Sequence, residues 1–314
     1  MKRIKYLLCL LIVLGGLVLG VSCKKGEDIE IYTTVYALDF VTKEIVQDKV
    51  KVKSIYPKSA EVHEYEPTPK ELIKMARADI IFFIGQGLEP FIEKGLNSTF
   101  KNTNCVNISS YSSLNLVSYD GSHGHAGSDQ QGAMESSFDP HIWLDPNLME
   151  EITNIILSNI LSVEKFQQYE TEFRTNANNL IAKFRDLVSE YNALLKTNKK
   201  LIIVDHDAYA YWTYRYNIQR KSLRGDNESS DPNSKELIDI INLAKENDIH
   251  YLLATKYEAQ ESLINSYLDY FNKDGSDFKC EVLYLDNLET LVDDKDDYFS
   301  IMRVNLELLL KALE

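Results

Sequence analysis

From Phe166 to Lys196 the chain has neither proline nor glycine, and Tyr169, Phe173, Ala177, Leu180, Phe184, Leu187, Tyr191 and Leu194 recur at steps of three and four. That spacing lines one face of an α-helix, which at 1.5 Å per residue reaches about 45 Å. One compact unit needs less, and two can be bridged by it. A chain of 314 residues also exceeds a comfortable single core. The pattern predicts an N-terminal lobe over 23–165, a linker helix over 166–197 and a C-terminal lobe over 198–314.

Apolar runs at 29–36, 50–55 and 80–84 precede this helix, and others at 201–204, 251–254 and 281–285 follow it, with polar or helix-periodic segments between. Alternation of this kind predicts an α/β fold in which each lobe is a mainly parallel sheet flanked by helices. Thr68-Pro69-Lys70-Glu71 combines a capping threonine, a first-turn proline and a glutamate three residues on, which starts a helix near Pro69. Asp145-Pro146 is a second such start.

At the N-terminus Lys2, Arg3 and Lys5 precede an uncharged apolar run, Tyr6 to Ser22. This reads as an export signal over 1–22, and the run is at the short limit for a permanent membrane helix. Gly20-Val21-Ser22-Cys23 resembles a bacterial lipoprotein processing site, although glycine stands where leucine is usual. Cys23 is the expected lipidated residue, and the expected location is extracytoplasmic, periplasmic or cell-surface, with membrane contact through that anchor. Cys105 and Cys280 then remain as thiols far apart in sequence, so no disulfide framework is expected. The net charge of −14 makes nucleic acid a poor partner. A glycine- and serine-rich stretch over 121–132 carries His123 and His125 and reads as a loop with an open choice between plain connection and metal role.

Six histidines occur in the chain, and His63, His141 and His206 fall at the end of a predicted strand or just ahead of a helix start. In open parallel sheets the ligand crevice lies beyond the carboxyl ends of the strands, where such residues converge. Asp286 stands at the same place after the last strand. Three imidazoles and a carboxylate suit four-coordinate zinc. His250 precedes a strand and is not expected to join them.

The words around these histidines carry more. Val62-His63-Glu64, Asp139-Pro140-His141-Ile142-Trp143 and Asp205-His206-Asp207, with Gly87-Leu88-Glu89 and Leu285-Asp286-Asn287-Leu288 in order, resemble the ZnuA/TroA-like family of zinc and manganese ABC solute-binding proteins. The resemblance covers nearly the whole mature chain. It implies a monomeric, non-enzymatic carrier that binds Zn2+ between the lobes through His63, His141, His206 and a carboxylate, Asp286 ahead of Glu61 or water, and hands it to a membrane permease. Two positions depart from the family pattern: Asn287 stands where proline is usual and Thr255 where glutamate is common. Mn2+ is the alternative cargo, disfavoured by a histidine at position 206. A secreted zinc hydrolase is the alternative from another class, but no HExxH word is present. An adhesin with a structural metal is a third.

Overall fold

The computed structural model describes residues 29–118, 138–224, 234–257, 259–272, 279–291, 293 and 295–314. The proposed signal, Cys23 and the His123 and His125 stretch lie outside them. No helix among the described residues is long and apolar enough to cross a membrane.

Each lobe is built on four parallel strands. The first sheet contains β1 (Ile31–Thr33), β2 (Val52–Ser54), β3 (Ile80–Phe83) and β4 (Asn104–Asn107) in the order β2-β1-β3-β4. The second contains β5 (Leu201–Val204), β6 (Gln219–Ser222), β7 (Tyr251–Thr255) and β8 (Glu281–Leu285) in the corresponding order β6-β5-β7-β8. All neighbours run parallel. The inner strands β3 and β5 read Ile-Ile-Phe-Phe and Leu-Ile-Ile-Val and are buried throughout, as strands covered on both faces must be.

In the first lobe α1 (Tyr36–Val46), α2 (Pro69–Met75), α3 (Pro90–Glu93) and α4 (Pro146–Ser162) follow in order. The Thr68–Glu71 capping box forms at α2, and Asp145 caps α4 by accepting from the Asn147 N–H at 3.0 Å. The joining element is a 22-residue α-helix, α5 (Glu170–Tyr191), with 3₁₀ turns before and after it that carry the rod from Glu164 to Lys196. Its Phe173, Ala177, Leu180, Phe184, Leu187 and Tyr191 face the core. The second lobe adds α6 (Ala210–Tyr216), α7 (Ser234–Glu246), α8 (Glu261–Asn272) and α9 (Tyr298–Leu313). Helix α9 returns to the joining helix: Tyr298 meets Phe184 edge-on at 5.3 Å, and the Tyr191 hydroxyl donates to the Met302 carbonyl at 2.7 Å. One continuous apolar core therefore runs from α1 and α4 through α5 into α9.

Both sheets have a switch point, β1 beside β3 and β5 beside β7, and each buries an acid there. In the first lobe Glu89 folds back so that its carboxylate accepts from the Ile84 and Gly85 N–H groups at 3.1 and 2.9 Å. Gly85 has φ +85°, and a Cβ there would come within 2.4 Å of the Asn107 amide. In the second lobe Asp205 accepts from the Thr255 N–H and hydroxyl at 2.8 and 3.0 Å, which ties the ends of β5 and β7 together beside His206.

Candidate metal centre

His63 lies on the loop between β2 and α2, and His141 just ahead of a 3₁₀ turn, Ile142–Leu144, that leads into α4. His206 is two residues past the end of β5, and Glu289 four past the end of β8. These four side chains meet, with one ligand atom from each all within 4.8 Å of one another. His206 Nε2 is 3.4 Å from His141 Nε2, and Glu289 Oε1 is 3.6 Å from both His63 Nε2 and His141 Nε2. Zinc bonds of about 2.0–2.1 Å in a tetrahedron place ligand atoms about 3.3 Å apart, close to the three separations just given, and the wider pairs must contract for the group to close on such an ion.

The structure brings together the three predicted histidines with Glu289, and it places Asp286 elsewhere. Asp286 sits directly at the end of β8, where its Oδ1 accepts from the Leu288 N–H at 3.0 Å. Between the two acids the backbone of Leu288 turns left-handed, φ +58°, so the chain reverses and it is Glu289 that points inward. Glu61 touches the edge of the site, accepting from the His63 N–H at 3.4 Å. His250 binds Asp248 and the Lys279 carbonyl, away from the group. Glu289 escaped the sequence reading because it lies past the strand end. The signal that could have found it is Asp286-Asn287, a pair that favours turns.

His141 is the most constrained ligand. Its side chain is 1 % exposed, its N–H donates to Asp139 Oδ1 at 2.8 Å, and its Nδ1 faces the same oxygen at 3.0 Å. A carboxylate at Nδ1 fixes the proton there and leaves Nε2 to face the cluster. Burial pulls the imidazole down, but Asp139 and then Glu289 outweigh it and raise its pKa to about 10. Burial would likewise raise Glu289, and the surrounding His141, His63 and His206 reverse the direction and hold it low. Its two oxygens are buried without a hydrogen bond among the described residues, and His63 and His141 approach one of them at 3.6 Å. A buried carboxylate facing imidazoles in this way is suited to a cation.

The segment that carries His141 is clamped by the second lobe. The Tyr211 hydroxyl donates to the Asp139 carbonyl at 2.9 Å, the Tyr298 hydroxyl to the Trp143 carbonyl at 2.7 Å and the Trp212 indole to the Leu144 carbonyl at 2.7 Å. Arg215 reaches Asp145 at 2.6 Å, and the Trp143 indole donates to the Asn287 carbonyl at 2.7 Å. The Tyr36 N–H, at the start of α1, donates to the Glu289 carbonyl at 2.7 Å. Both departures from the family pattern make side-chain bonds here: Asn287 Oδ1 accepts from the Glu289 N–H at 3.4 Å, and the Thr255 hydroxyl donates to Asp205.

A family description, "Zinc-uptake complex component A periplasmic", matches residues 31–312. The chain is 27% identical to the high-affinity zinc uptake system protein ZnuA of Bacillus subtilis, over 94% of this chain and 90% of that one. It is also 27% identical to the zinc-binding lipoprotein AdcA of Streptococcus pneumoniae, covering 98% of this chain but 60% of that longer one. The crystal structure of Zn(II)-bound AdcA from Streptococcus pneumoniae superposes with a TM-score of 0.73 at 23% identity, over 91% of this chain and 58% of the other, a likeness of fold.

Proposed function

The chain belongs to the ZnuA family of zinc-uptake components, and from that premise we propose that it is the extracytoplasmic solute-binding component of a zinc ABC importer. It binds Zn2+ between its lobes through His63, His141, His206 and Glu289 and delivers the ion to a membrane permease, catalysing no reaction. The observation that carries this reading is the convergence of the four ligand atoms within 4.8 Å. Three neutral nitrogens and one carboxylate oxygen favour zinc over the harder, oxygen-rich surroundings that suit manganese. The Glu289 and Asp139 carboxylates balance the two positive charges of the ion in a buried place. In this reading the chain is a monomer held at the membrane by a lipid on Cys23, the first residue after signal removal.

Purification without chelator, metal analysis and competitive titration with zinc and manganese test the cargo. One zinc per chain and weaker manganese binding are expected, and tighter manganese binding would overturn the assignment. Cys23→Ser should release a soluble protein from the membrane fraction. Retention of that variant would mean that the apolar run from Tyr6 to Ser22 holds it instead.

A further inference from the structure

The acid at the end of β8 has a task although it is not among the four clustered residues. Asp286 Oδ1 accepts the N–H of Leu288, whose φ of +58° is a conformation that a leucine adopts only when its surroundings hold it there. Asp286 is itself held at both backbone atoms by one side chain: Asn305 Oδ1 accepts its N–H at 3.0 Å, and Asn305 Nδ2 donates to its carbonyl at 2.7 Å. Asn305 is 1 % exposed on α9, so this anchor belongs to the core. The left-handed residue lies directly before Glu289.

We infer that Asp286 is a positioning residue, which uses its Oδ1 to bend the chain at Leu288 so that Glu289 enters the site. This rests on the four residues being an ion site, and it adds that the acid nearest the strand end acts on zinc through its neighbour. What it requires of position 286 is a short side chain with an acceptor oxygen. It does not require a charge.

Zinc affinity, read by competition with a chromogenic chelator, separates the possibilities. Asp286→Asn keeps an acceptor at the same place and should bind within about threefold of the parent. Asp286→Ala removes the acceptor and should weaken binding about tenfold or more. Asp286→Glu keeps the charge but moves the oxygen off the Leu288 N–H, and should resemble the alanine variant; it also serves if that variant does not fold. The absorption of bound Co2+ should keep its four-coordinate form in Asp286→Asn and lose intensity in Asp286→Glu. In a Glu289→Gln background, Asp286→Ala should add almost no further loss.

An Asp286→Asn loss as large as that of Asp286→Ala would overturn the inference, since the charge would then be what matters. So would full affinity in Asp286→Ala, or losses that add in the Glu289→Gln background. Parent protein that takes up no zinc, or Glu289→Gln that binds like the parent, would instead strike the ion-site reading itself, before any change at Asp286 is made.

Discussion

The two lobes repeat one sheet order but deliver their ligands differently. In the second lobe His206 and Glu289 stand within a few residues of strand ends, on short turns tied down by Asp205–Thr255 and Asp286–Asn305. In the first lobe both histidines come from connections, and these differ in turn. His141 sits in a segment that the second lobe grips through five hydrogen bonds or ion pairs, and its side chain is 1 % exposed. His63 is 12 % exposed on a loop that meets the second lobe across a depression lined by Glu61, Lys256 and Tyr257. Three ligands thus form a braced half of the site, and His63 forms its solvent-side wall. Placing a ligand near a strand end is thus only part of building a site; the bracing around it decides how much the ion can rely on it.

The sharpest way to break this contrast is to remove ligands one at a time. His141→Ala, His206→Ala and Glu289→Gln should each weaken zinc on the order of a hundred- to thousandfold, an even share of the roughly 10–16 kcal/mol typical of four-ligand zinc sites. His63→Ala should lose less, because water can reach its place. Competition titration decides this, and a greater loss at His63 than at His141 would reverse the contrast. Asp139→Asn should cost about 10–100-fold, since it leaves His141 in place but no longer fixes which nitrogen carries the proton.

Acid should act next. His141, raised to about 10, holds a proton at neutral pH that zinc must displace, whereas Glu289, held low, stays ionised until strongly acidic conditions. Apparent affinity should therefore fall about tenfold for each pH unit lowered, per proton displaced, and climb until pH passes the raised value of His141. Calorimetry in buffers of different ionisation heat counts those protons, and the Asp139→Asn variant should release fewer. At the small end, His250→Ala, His123→Ala and His125→Ala should leave zinc affinity within about twofold, because ligand status here follows position rather than residue type. Equal losses at His250 and His206 would sink the assignment.

Much of this was legible in the sequence, where periodicity was strong. The apolar spacing from Tyr169 to Leu194 announced the joining helix, and Thr68-Pro69 and Asp145-Pro146 announced two helix starts. The apolar run at 29–36 ran too far, since Tyr36 already begins α1. Strands β4 and β6 were missed because they read Asn-Cys-Val-Asn and Gln-Arg-Lys-Ser. Each stands at a sheet edge, where only part of the strand is buried and no apolar run is needed. The three histidines could be found because each occupies a junction that the chain pattern exposes. Glu289 is marked only by the turn-favouring pair Asp286-Asn287, because its place depends on the sign of one backbone angle at Leu288, and periodicity carries no trace of that.

The grip on the His141 segment also has a thermodynamic consequence. The bonds that join the lobes there run through Tyr211, Trp212, Arg215, Tyr298 and Asn287, none of which is an ion ligand, so the ion does not have to bring the lobes together. Little apolar surface should leave water when zinc arrives. Uptake should carry a small heat-capacity change and little ordering entropy beyond that of the His63 loop, with its temperature dependence set by the heat of exchanging protons and water for the ion.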